Sequence, residues 1–173
     1  IYKYDISGSS LTNQKMILDL PAGPGTNHQG GKLVAGKDKS LYSVTGELQR
    51  NGKDQNIKDG PDPDFSGAIL RVNPENGSPA QNNPFVTSNS TSDPLGHYYA
   101  YGIRNSFGLA IDPVTGSLWD TENGEDVYDE INLVKPGFNS GWKLVMGPIA
   151  NSGISESQLV NFPGSKYSDP TLS

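Results

Sequence analysis

An all-β fold is what this sequence predicts, on three observations. Short runs of β-branched and aromatic residues recur at about 8–12-residue spacing with turn signals between them. Glycine contributes 21 and proline 13 of the 173 residues, so the chain turns often. No amphipathic run would carry a helix of three turns. Many short strands at this spacing predict a β-sandwich or a propeller, and propeller blades of about 40–50 residues fit three or four times into the length.

Taken in order, Ile1 to Ile6 and Lys15 to Leu20 read as two strands of an outer hairpin around a Ser-Gly-Ser-Ser turn. Ile1 opens on a strand already under way, which predicts an upstream segment. The Pro21 to Thr26 breaker then delivers Asn27-His28-Gln29-Gly30-Gly31 to the mouth of a strand, Lys32 to Ala35. After a turn at Gly36 to Lys39, Leu41 to Thr45 returns and ends in Gly46-Glu47. His28 and Glu47 thus stand at the open start and open finish of one hairpin, which puts them on the same edge of the sheet. Leu48 to Ser66, rich in Asn and Asp, reads as a long loop, and loops of this length in a compact domain usually serve function. Gly67 to Asn73 is a strand, and Tyr98 to Tyr101 another that leads straight into Gly102-Ile103-Arg104-Asn105. Phe107 to Ile111, an Asp-Pro-Val-Thr-Gly turn and the run opened by Leu118-Trp119 make a hairpin. Behind it lie Glu122, Glu125, Asp126, Asp129 and Glu130, followed by a strand from Ile131 to Val134. Lys143 to Met146 reads as a short strand, and the tail to Ser173 as loop. Trp119 and Trp142 read as core, and His97 as solvent-facing.

Composition excludes several classes of function. With Lys+Arg 13 against Asp+Glu 19 the formal net charge is -6, and no basic stripe offers a nucleic-acid surface. The absence of cysteine removes both a disulfide framework and thiolate metal sites. No apolar stretch is long enough to span a membrane, and no signal peptide is present in this chain. Asn76-Gly77-Ser78 and Asn89-Ser90-Thr91 fit the glycosylation pattern, although chance matches are common in so Asn-, Ser- and Gly-rich a chain. Carboxylates concentrated in a loop between strands suit a hard cation, since calcium takes oxygen ligands. The same density also suits a solvated acidic loop.

Five ordered motifs carry a resemblance: Asn27-His28-Gln29-Gly30-Gly31-Lys32-Leu33; Gly67-Ala68-Ile69-Leu70-Arg71; Gly102-Ile103-Arg104-Asn105-Ser106-Phe107-Gly108-Leu109-Ala110; Asp120-Thr121-Glu122-Asn123-Gly124; and Asp129-Glu130-Ile131-Asn132-Leu133 with Gly141-Trp142. Together they resemble the glucose/sorbosone dehydrogenase family, soluble quinoproteins that oxidise aldose sugars with pyrroloquinoline quinone and calcium. The resemblance implies a six-bladed β-propeller of which residues 1–173 form a part, some three to four blades, with the cofactor at the centre of the top surface. It also implies an aldose sugar substrate, an external electron acceptor and a periplasmic or extracellular location. A part-propeller has open strand edges, so self-association or pairing with the missing blades is expected.

On this resemblance His28 matches the general base, and Glu47 the carboxylate that orients it, where an aspartate is more usual. Arg104 and Asn105 match the pair that contacts the cofactor, the guanidinium polarising a quinone carbonyl. Gly124 and Glu125 match the loop whose backbone carbonyls hold calcium beside the cofactor. Asp129, Glu130 and the carbonyl of Ser140 match a second, structural calcium site. Cationic residues that grip the cofactor's carboxylates come from later blades in the family. A calcium-binding or interaction module that kept the propeller without the cofactor is the alternative reading. Without the family, His28 would be an ordinary loop residue and Arg104 a strand-end partner for a loop carboxylate.

Overall fold

The computed structural model describes residues 1–49, 54–60, 62–87 and 93–173. Among the described residues eleven short strands form three sheets. Strands β1 (Tyr2–Ser7) and β2 (Ser10–Met16) make an isolated hairpin. A six-stranded sheet is built from β3 (Leu33–Ala35), β4 (Leu41–Thr45), β5 (Ala68–Val72), β6 (Tyr98–Tyr101), β10 (Phe138–Asn139) and β11 (Lys166–Tyr167). Its first four strands are antiparallel neighbours in chain order, and β10 joins β6 in parallel. The third sheet is the antiparallel β7 (Ser106–Ile111), β8 (Leu118–Glu122) and β9 (Glu130–Val134). The only α-helix among the described residues is a single turn, α1 (Pro94–His97), capped by the Asp93 side chain.

The central strands of the six-stranded sheet are buried on both faces, and alternation along β5 shows how. Ile69 points into a core with Val44, Ile103, Leu109, Leu118 and Val134, which fills the space between this sheet and the β7-β8-β9 sheet. Ala68, Leu70 and Val72 point the other way, into a core with Leu18, Phe85, Tyr98 and Tyr101. A sheet covered on both faces by neighbours is how propeller blades pack. A satellite cluster of Val145, Leu159 and Tyr167 sits under the C-terminal turns.

Topology decides where the chemistry can be. The start of β3, the end of β4, the start of β5, the end of β6 and the start of β7 all fall at one end of the structure, because consecutive strands run antiparallel. The β8-β9 loop joins them through the Ser106 to Glu122 pairing, and the turn after β10 through the parallel pairing of Asn139 with Tyr101. His28, Glu47, Arg104, Asn105, Gly124, Glu125, Asp129, Glu130 and Ser140 therefore share one end, called the top below.

Four sequence-based expectations are corrected. Lys143 to Met146 is not a strand: the chain turns at 142–144, held by the Val145 N–H donating to the Gly141 carbonyl at 3.0 Å. The second strand of the first hairpin runs Ser10–Met16 rather than Lys15 to Leu20, because Ile17 and Leu18 leave the hairpin to bury their side chains. His97 does not face solvent; it is buried, with its ring against Phe65 at 5.1 Å and Nδ1 bonded to the Asp93 carbonyl. Trp119 is half-buried rather than core. The pattern at Asn89 lies outside the described residues, while Asn76 is exposed and folds a turn onto Ser78.

Candidate active site

Glycine builds the site, since two loops cross where no side chain fits. The N–H of Gly46 donates to the Gln29 carbonyl at 3.3 Å, and its own carbonyl accepts from Gly67 at 2.9 Å. A Cβ on Gly46 would strike the carbonyl oxygens of both His28 and Arg104. The next residue, Glu47, donates its N–H to the Arg104 carbonyl at 2.9 Å. Lacking a side chain at position 46, the His28 loop, the end of β4 and the Arg104 loop meet at one point. His28 itself has φ 63°, in the left-handed region that costs a non-glycine residue about 1–3 kcal/mol. Such strain persists where surrounding bonds over-determine the conformation, and here the Leu48 N–H clamps the His28 carbonyl at 3.3 Å.

The side chains complete the expected dyad. His28 Nδ1 is hydrogen-bonded to Glu47 Oε1. The glutamate is nearly buried and the imidazole largely so, at 7% and 18% side-chain exposure, so the contact is shielded from water. With Nδ1–H committed to the carboxylate, Nε2 is left as the basic nitrogen. His28, Glu47, Arg104 and Glu125 line one cavity of about 280 Å³, together with Gln49, Asp54, Trp142 and Lys143. A second hollow of about 400 Å³ is bordered by His28 together with Asn27, Gln29, Asn105 and Phe107.

Arg104 is fastened by its backbone to Glu122, whose carboxylate accepts the Arg104 N–H and, at 2.8 Å, the Ser140 hydroxyl. Its guanidinium Nη1 donates to the Asn123 carbonyl at 2.9 Å and its Cζ lies 5.2 Å from the Trp142 ring. Buried Arg104 Nε and Asn105 Oδ1 have no hydrogen-bond partner among the described residues. Orphaned polar atoms at the edge of a cavity call for a ligand or water. Arg104 Nε calls for an acceptor and Asn105 Oδ1 for a donor.

The acidic stretch divides in two. Glu125, Asp126 and Asp129 are exposed, whereas Glu122 and Glu130 are buried with Asp120. Burial and the facing Glu130 and Asp120 carboxylates hold the Glu122 carboxyl well above its usual range. Burial likewise raises Glu130, and pushes Asp120 up to about 7 against a bond from Ser106. The Gly124 loop folds on itself: its N–H donates to Asp129 at 2.9 Å, and a Cβ there would strike the carbonyls of Val127 and Tyr128. Asp129 and Glu130 border the same hollow of about 430 Å³ but spend their carboxylates differently. Asp129 accepts from Gly124, while Glu130 accepts from Gly147 and Asn132 and lies 3.5 Å from the Ser140 hydroxyl that donates to Glu122. Among the described residues no three His, Asp or Glu side chains converge as a metal cluster.

The sequence reading missed Asp54 and Lys143 as cavity residues, and Asp120 with Glu122 as a buried pair. Asp54 lies in the long Leu48 to Ser66 loop, and Lys143 directly follows the Gly141-Trp142 motif. The loop is anchored by polar groups: buried Asn56 and Asn139 exchange amide bonds at 2.8 Å in both directions.

The sheets and their common top define a part of a β-propeller carrying a histidine-carboxylate dyad opposite an arginine. The chain belongs to the glucose/sorbosone dehydrogenase family, whose model matches residues 1–161. It is 33% identical to quinoprotein glucose dehydrogenase B of Acinetobacter calcoaceticus over 90% of this chain and 34% of that protein. It is 32% identical to aldose sugar dehydrogenase YliI of Escherichia coli over 84% of this chain and 37% of that one. The PQQ-bound form of an aldose sugar dehydrogenase from Streptomyces coelicolor superimposes with a TM-score of 0.67 at 37% identity, covering 88% of this chain and 42% of that structure. The chain spans about a third of the length of the curated relatives it matches. No helix among the described residues is long and apolar enough to cross a membrane.

Proposed function

We propose that this chain is the catalytic portion of a quinoprotein that oxidises the anomeric hydroxyl of aldose sugars. The observation that carries the reading is the His28 to Glu47 bond facing Arg104 across one cavity. His28 Nε2 takes the hydroxyl proton as the C1–H bond breaks, and Glu47 holds the imidazole in the tautomer that leaves Nε2 bare and stabilises the charge it gains. The chemistry that pyrroloquinoline quinone supplies when bound is acceptance of the hydride from C1, after which an external acceptor removes the electrons. Arg104 lends fixed positive charge to a ligand oxygen at the place where negative charge grows. Asn105, with its free Oδ1, suits a ligand N–H. Calcium would be held by carbonyls of Gly124 and Glu125, with Asp129, Glu130 and Ser140 a second set, and would supply Lewis-acid polarisation beside Arg104. A periplasmic or extracellular location belongs to the same reading.

The test is dye-linked aldose oxidation by protein reconstituted with the quinone in calcium buffer. His28→Ala is expected to lower kcat about 10²–10⁴-fold while the absorbance change on quinone binding is kept. Full activity in that variant would remove the assigned base. No oxidation and no absorbance change with the parent would replace the reading with a non-catalytic calcium-binding propeller module.

A further inference from the structure

Arg104 has fewer hydrogen bonds than its surroundings demand. Among the described residues its side chain makes one, from Nη1 to the Asn123 carbonyl, and its buried Nε finds no acceptor. A long side chain with one directional bond keeps several rotamers unless something else removes them. That something is the indole of Trp142, whose ring centroid lies 5.2 Å from Arg104 Cζ and which lines the same cavity as His28.

We infer that the aromatic face of Trp142 is the positioning surface for the Arg104 guanidinium, aiming it into the cavity at a ligand oxygen. The inference rests on the quinoprotein reading above. A cation over an indole face is attracted by the ring quadrupole, and the attraction strengthens where water is excluded, as at Trp142, a residue 8% exposed. The platform itself is fixed. The Trp142 N–H donates to the Gly102 carbonyl at 3.1 Å, and its carbonyl accepts from Asn56 Nδ2 at 2.9 Å. Asn56 is in turn locked by its amide exchange with Asn139. One polar knot thus links the 54–60 loop, the turn after β10 and the ring beneath Arg104. The indole N–H has no acceptor among the described residues, so packing and the ring face, not the polar edge, make the contact. Phenylalanine should therefore serve in place of tryptophan, and an aliphatic side chain should not.

The experiment titrates pyrroloquinoline quinone, followed by its absorbance in calcium buffer, into the intact protein. Trp142→Phe and Trp142→Leu are compared in the parent and in Arg104→Ala backgrounds, with melting midpoints recorded for all. Trp142→Leu is expected to weaken quinone binding about 10-fold, and Trp142→Phe by no more than about 2-fold. In the Arg104→Ala background the two tryptophan variants should bind alike, since the group they position is gone. Equal losses for Phe and Leu, or an undiminished Leu effect without Arg104, would overturn the inference and leave the function standing. A parent that binds no quinone, or an Arg104→Ala that binds it as the parent does, would overturn the functional reading and the inference together. Should Trp142→Leu not fold, Trp142→Met supplies the non-aromatic comparison.

Discussion

At Asp120 burial outweighs hydrogen bonding. Its carboxyl accepts from the Ser106 hydroxyl, yet full burial and the nearby Glu130 charge push it up to about 7 from an ordinary 3.8. The folded protein therefore keeps a proton that the unfolded chain releases. Between about pH 4 and 7 the native state binds more protons, so stability falls as pH rises through that window and is level on either side. Glu122 and Glu130, raised mainly by the same burial, act in the same direction. Asp120→Asn should remove part of the decline: in chelator, its melting midpoint is expected to fall less than the parent's on going from acid to neutral pH. A parent midpoint that rises over this range would show the carboxylate ionised and paired instead. At this scale the sequence was most readable where a residue's place follows from one hairpin, as with His28 and Glu47. Asp120 and Glu122 were not readable as buried, because a strand shows only which residues alternate, and which face goes inward depends on a sheet that packs later.

Strands β4, β5 and β6 lie where apolar alternation and flanking glycines place them, and the Arg104 loop follows from the end of β6. Lys143 to Met146 misled for a physical reason: its apolar residues serve a satellite core with Leu159 and Tyr167, which a turn fills as well as a strand does. The crossing at Gly46 is the element-level feature on which the site depends. Gly46→Ala drives a methyl into the His28 carbonyl, a backbone atom with nowhere to go, so it should cost about 2 kcal/mol or more in urea unfolding. It should also separate His28 from Arg104 and lower kcat by about 10²-fold, since catalytic groups tolerate little displacement. Parent-like stability and rate in that variant would contradict the crossing. The Gly124 loop carries a different expectation. The Gly124 and Glu125 carbonyls, and the Asp129 and Glu130 carboxylates that border one hollow, are the proposed ligands of a cation bound only by the folded state, which would raise stability by mass action. Melting midpoints should rise with added calcium and fall with chelator; identical midpoints would remove both proposed sites.

For the whole molecule, the part-propeller was legible because each sheet announces itself locally, whereas the manner of its completion was not, because edges are made by strands elsewhere. The sheets differ in how their edges are covered. The outer edge of β9 is met by the chain's own Thr171 and Leu172, which exchange backbone bonds with Ile131 at 2.9 and 2.8 Å. The β1-β2 hairpin has no further strand on either side among the described residues. Its facing pair Ile6 and Leu11 is 80% and 66% exposed, and the pair Tyr2 and Met16 at its other end is also exposed. A two-stranded ribbon with both edges open and apolar pairs exposed at its ends is marginal in water, and such edges are prone to pair with another strand. Sedimentation of the 173-residue chain is therefore expected to show concentration-dependent association. Ile6→Lys with Leu11→Lys should shift it toward monomer while leaving the melting midpoint of the two-sided core nearly unchanged, because a charged pair opposes edge pairing and neither residue packs into that core. A parent that sediments as a compact monomer across the concentration range would show that the hairpin closes on itself, and that the exposed pair is not an interface.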